Sequence, residues 1–136
     1  MNQTVFNFAS GFFGTVITYA FGTWNELLSF FVIAILIDII SGVTASMKEG
    51  KGISSAVGFK GSVKKVFMFV AILLAHRMDV LMSSDFIMTG AIYFYLANEL
   101  VSIIENYGRL GLPLPPQIKD MITALKRNSD DKQARS

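Results

Sequence analysis

MKEGKGISSAVGFKGSVKK, Met47–Lys65, sets Lys48, Lys51, Lys60, Lys64 and Lys65 against a single acid, Glu49. Apolar runs flank it: LLSFFVIAILIDIISGVTAS (Leu27–Ser46) before it and VFMFVAILLAHRMDVLMSS (Val66–Ser84) after it. A water-soluble domain has no reason to place five lysines between two such runs. A membrane protein does, because short Lys-rich loops stay on the cytoplasmic side. The stretch is therefore predicted to be the cytoplasmic turn of a transmembrane hairpin, and it orients the rest of the chain.

Composition agrees. Of 136 residues, 52% are hydrophobic and 16% charged, and mean hydropathy is +0.50. The net charge of +2 matters less than its placement. Five of the 12 Lys and Arg lie in Lys48–Lys65 and six in Arg109–Arg135, with Arg77 alone between them. A basic nucleic-acid surface is disfavoured, because the lysines abut apolar spans rather than a polar fold. With no cysteine, disulfides and thiolate metal sites are excluded. A cleavable signal peptide is not expected, since no Lys or Arg precedes the first apolar residues.

The fold class that follows is an all-α membrane protein with three transmembrane helices at about residues 27–46, 66–84 and 86–104. The first carries twelve Leu, Ile, Phe or Val residues. These contribute roughly −4 to −7 kcal/mol to insertion, against about +3 for Asp38. The second and third are marginal: His76, Arg77 and Asp79 interrupt one, Asn98 and Glu99 the other. Ser83–Asp85 leaves room only for a tight turn, so these two are expected to insert as a hairpin. Val5–Trp24 is uncharged, with Phe6, Ala9, Phe13, Ile17, Ala20 and Trp24 at helical spacing. Its Asn, Ser, Thr and Gly residues favour a helix lying in the interface over an extra span packed through Gly11 and Gly14.

After Tyr107, the segment GRLGLPLPP stops the helix. A short amphipathic helix should begin near Pro116, with Ile118, Met121, Ile122 and Leu125 as its apolar stripe and Lys119, Lys126 and Arg127 opposite. The last residues, NSDDKQARS, are expected to be disordered. Three parts result: an interfacial segment (1–26), a transmembrane domain (27–107) and a basic cytoplasmic segment (108–136). Three spans put the N-terminus outside and both basic blocks inside.

Ionisable groups inside a span are costly and suggest function. Asp38, Ser41, Gly42, Ala45 and Glu49 share one helical face. Tyr95, Asn98, Glu99, Ser102, Glu105 and Asn106 form a second stripe. At about 1.5 Å per residue, Asp38 lies about 16 Å deep and Glu99 about 18 Å deep, so the two can meet at one level. The stripes are candidates for subunit contacts or a wet lumen; the alternative is that they only tie helices together by hydrogen bonds. Lys48, Lys51, Lys60, Lys64 and Lys65 are candidate anchors of the cytoplasmic loop, and His76, Arg77 and Asp79 a polar cluster at the outer leaflet. With one His, a metal site is not expected. No nucleophile–base pair or phosphate loop appears, so neither catalysis nor a cofactor is expected.

Three of these elements carry a resemblance. They are Asp38 and Gly42 in DIISGVTA; Ser54, Ser55, Gly58, Gly61, Lys64 and Lys65 in the basic loop; and NELVSIIENYGRLGLPLPP, with Asn98, Glu99, Ser102, Glu105, Asn106, Gly111 and Pro113. Through them the chain resembles the bacteriophage holins, specifically the phage lysis and toxin-secretion holins found largely in Gram-positive hosts. The matching residues run from Asp38 to Pro116; HRMD also puts Asp79 where the family tends to place an acid, and the first 25 residues match no element. The resemblance implies a protein that accumulates in the cytoplasmic membrane. It then assembles with copies of itself, at a set time, into holes that pass an endolysin or a secreted toxin. Two other classes compete. A small channel or proton-coupled carrier would use Asp38 and Glu99, but no inverted repeat or filter-like segment is present. The other is a passive membrane scaffold.

Overall fold

A computed structural model describes residues 2–52 and 55–135, and residues 55–57, 122, 125, 126 and 129 by their backbone only. Ser54 and the side chains of Ser55, Ile122, Leu125 and Lys126, all used above, lie outside what is described. The described chain is all-α: α1 (Gln3–Phe21), α2 (Glu26–Lys48), α3 (Ser55–Met82), α4 (Phe86–Arg109) and α5 (Pro116–Arg135).

Helices α2 and α4 begin where the apolar pattern predicts. Among the described residues, α1, α2 and α4 are each long and apolar enough to cross a membrane. The polar residues that dilute α1 thus leave it with a span's length and apolarity. The predicted second span lies on α3, which is not one of these three and starts at Ser55 rather than Val66. Lys60, Lys64 and Lys65, read above as loop residues, therefore lie on α3. Adding turns to an existing helix is cheap compared with nucleating one, and Gly58 and Gly61 at about 1 kcal/mol each do not stop it. Only Lys48 and Lys51 flank the α2–α3 turn itself. Helix α5 starts at Pro116 as expected but continues to Arg135, through the tail expected to be disordered. Arg127, Asp131 and Arg135 recur there at i, i+4 spacing, which favours helix.

The surface carries large apolar side chains throughout, including Ile40, Phe67, Leu81 and Phe94. Lipid is the solvent in which such a surface is stable.

Two compact units divide the chain: Met1–Ile33 with Ser55–Leu96, and Ala34–Ser54 with Ala97–Ser136. The first has an apolar core of Leu28, Phe31, Met68, Ile72, Met88 and Ile92. The Phe69 ring meets Phe21 and Phe31 edge-on, with centroids 6.1 and 5.4 Å away. Helix α1 ends at Gly22, which has φ 73° and donates its N–H to the Thr18 carbonyl at 2.8 Å. A Cβ there would stand 2.9 Å from His76 Cε1, so glycine answers both the backbone and the neighbour. Asn25 caps α2, accepting from the Leu28 N–H at 2.9 Å.

The second unit buries a different kind of group. Beside Ala34, Ile35 and Ala45, its buried residues are Ser41, Glu99 and Asn106. Lipid tails are as apolar as leucine, so helices in a bilayer gain little by hiding apolar faces from them. Close contact at small residues and hydrogen bonds hold them instead.

Candidate functional site

The site lies within the second unit, where α2 and α4 meet along a seam of polar side chains. Ser102 donates its Oγ–H to Asp38 Oδ1 at 2.6 Å. Asn106 Nδ2 donates to Asp38 Oδ1 at 3.0 Å, to the Asp38 carbonyl at 3.2 Å and to Ser41 Oγ at 3.0 Å. Ser41 in turn donates to the Asp38 carbonyl at 3.2 Å. Gly42 lies beside this contact: a Cβ there would meet Asn106 Nδ2 at 3.4 Å, an ordinary van der Waals distance. Asn106 is 6% exposed and Glu99 is 3% exposed. Spacings of three and four residues put Glu99, Ser102 and Asn106 on one face of α4. Asp38 begins the seam on α2 as the residue pattern suggested, with Ser102 and Asn106 supplying donors from α4.

Where α2 and α4 end, charges take over. Glu49 accepts from Arg109 Nε at 2.6 Å and from Lys51 Nζ at 2.8 Å. These two bonds, Lys51 first and Arg109 second, hold the Glu49 carboxyl below its ordinary 4.5 against a smaller opposing effect of desolvation. Arg109 also donates to Ser46 Oγ and to Asn106 Oδ1, each at 3.2 Å. Lys48 donates to the Leu110 carbonyl, just past the C-terminus of α4, where a cation suits the helix dipole. Sequence reasoning grouped Arg109 with the basic tail and missed its place here. The available signal was its position seven residues beyond Ser102 and three beyond Asn106 on the same helix.

The remaining predicted residues fall elsewhere. Asn98 and Glu105 are exposed and Tyr95 is half-buried, so the α4 stripe is not one continuous buried face. In the first unit the cluster of His76, Arg77 and Asp79 divides between two partners. The Arg77 guanidinium stacks over the Tyr19 ring, 4.1 Å from its centroid, and His76 packs on Gly22, so both brace the end of α1. Asp79, 4% exposed, instead caps α4. It accepts from the N–H groups of Ile87 and Met88 at 3.0 and 2.8 Å and from Ser84 Oγ at 2.7 Å. Ser83 at φ 51° and the Ser84 N–H bonded to the Asp79 carbonyl at 2.9 Å close the turn in between. The carboxylate thus takes two of the donors that every helix start leaves open. Among the described residues no three His, Asp or Glu come together to hold a metal.

Residues 15–127 match the sequence model of the Bacteriophage holin family. A probable holin of Bacillus phage phi105 is 32% identical over 115 residues, 84% of each chain. An uncharacterized protein of Halalkalibacterium halodurans is 35% identical over 130 residues, 91% of this chain and 96% of its own. An uncharacterized 14.9 kDa protein encoded 3′ of nagH in Clostridium perfringens is 35% identical over 114 residues, 82% of this chain and 86% of its own. No solved structure matches. The family match takes in α2, α3, α4 and the seam residues Asp38 to Arg109. With a family model across most of its length and a phage relative named for the same role, this multi-pass membrane chain belongs to the bacteriophage holin family.

Proposed function

We propose that the chain is a hole-forming holin. It accumulates in the cytoplasmic membrane with its basic segments inside and oligomerises. At a timed point it opens holes that release an endolysin or a secreted toxin. The observation that carries this reading is the match over residues 15–127 together with the phage relative called a probable holin. The physical features agree. Large apolar side chains are exposed along α1 to α4. Asn98 is exposed half-way along α4. An amide is costly to leave in hydrocarbon. The Asn98 of a second copy can satisfy it, since an amide both donates and accepts. Assembly thus falls to the outward face of α4, while Asp38, Ser41, Ser102 and Asn106 hold one chain together.

The test is inducible co-expression with a cytoplasmic endolysin that has no export signal. Abrupt lysis after a delay, dependent on both proteins, is the expected result. A smooth change in ion flux without endolysin release would overturn the reading in favour of a carrier. Membrane accumulation with neither effect would leave a scaffold.

A further inference from the structure

The Asn106 amide has only one orientation that its neighbours accept. Its Oδ1 faces Arg109 NH1 at 3.2 Å, and its Nδ2 faces Asp38 Oδ1 at 3.0 Å. A guanidinium has no acceptor. Turning the amide over would set donor against donor at Arg109. Arg109 is itself fixed from the other side, by Glu49 at 2.6 Å and Ser46 at 3.2 Å. A guanidinium can do this because its nitrogens form a planar fork: Nε goes to Glu49, NH1 to Asn106 and NH2 to Ser46.

We propose that Arg109, held by Glu49, is the positioning residue of the seam, orienting the Asn106 amide so that its Nδ2 is delivered to Asp38 and Ser41. The relay runs from an ion pair at the ends of the two helices to a carboxylate inside α2. A change at that ion pair, such as loss of the Glu49 charge, is thereby coupled to Asp38 through side chains alone. The geometry of the relay stands without the hole-forming reading; only an effect on lysis timing rests on that reading.

The experiment uses the full chain in lipid nanodiscs with 15N-labelled asparagine side chains, following hydrogen exchange of the Asn106 Nδ2 protons. Parent protein should show slow exchange. Arg109→Lys keeps the charge and can keep the Glu49 pair, but one ammonium cannot also fork to Asn106. Exchange should then quicken about tenfold, as for the loss of one charge-assisted bond. The swap Glu49→Arg with Arg109→Glu restores an ion pair but puts an acceptor beside Asn106 Oδ1. It should therefore fail to restore protection and should move both Nδ2 resonances. Helical circular dichroism and membrane abundance confirm that each variant is folded. Parental exchange in Arg109→Lys, or full rescue by the swap, would overturn the positioning role, because a purely structural ion pair gives those results. Lysis timing of the same variants is scored separately, so failure of the hole-forming reading leaves the exchange result intact.

Discussion

Replacing Asp79 by alanine removes three acceptor contacts at once, from Ser84 Oγ at 2.7 Å, Ile87 N at 3.0 Å and Met88 N at 2.8 Å. The carboxylate is 4% exposed, so water does not stand ready to replace it. Hydrogen bonds to a charged group contribute about 1.5–3 kcal/mol in soluble proteins, whereas polar contacts inside membranes average about 0.6 and reach about 1.7. Three contacts at the membrane average, plus the helix-dipole contribution of about 0.3–1, give a loss of about 2–3 kcal/mol. Asp79→Asn keeps one oxygen and turns an NH2 toward a backbone donor, so it should lose about half as much. Ser84→Ala removes one bond and should lose under about 1 kcal/mol. The assay is equilibrium unfolding in mixed micelles with rising dodecyl sulfate, followed by Trp24 fluorescence and helicity. An Asp79→Ala variant within about 0.5 kcal/mol of the parent would refute the capping argument, since alanine at a true cap position does not behave so. An Asp79→Asn variant as damaged as the alanine variant would assign the effect to charge alone.

Asp38→Leu should insert as well as the parent, because insertion gains about 3 kcal/mol, yet lose the Ser102 and Asn106 bonds and lyse cells late or not at all; parental timing at equal membrane abundance would show that the seam has no role in lysis. For Glu49 the folded-state pKa is depressed below 4.5, so its contribution to stability is fully present above about that pH and is lost as pH falls through the depressed value; Glu49→Gln should remove this part of the acid sensitivity, read from unfolding midpoints between neutral pH and pH 3. Asn98→Leu should leave the chain folded and inserted while reducing cross-linked oligomers several-fold, measured by amine cross-linking in isolated membranes. Reporter fusions at Gly52 and Ser136 should both read cytoplasmic and one at Ser84 external; a Ser136 fusion reading external would overturn the proposed orientation, and a fusion at Asn2 tests whether α1 crosses.

What the residues revealed in advance, and what they hid, follows from the physics each step used. Apolar runs and Lys placement report insertion directly, so α2 and α4 were legible to within a few residues, and Asp38 with Gly42 was recognisable as the polar face of α2. Counting depth from helix ends set Asp38 level with Glu99 but did not reveal Ser102 and Asn106, one and two turns further along α4, as hydrogen-bond donors to Asp38. Such counting carries no information on tilt or on the offset between neighbouring helices. Asp79 was grouped with His76, one turn away in sequence. Its backbone hydrogen-bond donors, Ile87 and Met88, lie across a turn whose geometry depends on Ser83 at positive φ. Arg109 was hidden by its company, a basic residue beside a basic tail.

The buried polar core of the second unit has a consequence for water. Its bonds are strong where the local dielectric is low and no competing donor is at hand. Each water molecule that reaches Asp38, Ser102 or Asn106 offers the same donors and acceptors that those side chains now exchange with one another. Wetting therefore loosens this unit while leaving the aromatic stacking of Phe21, Phe31 and Phe69 unchallenged, since rings have nothing to gain from water.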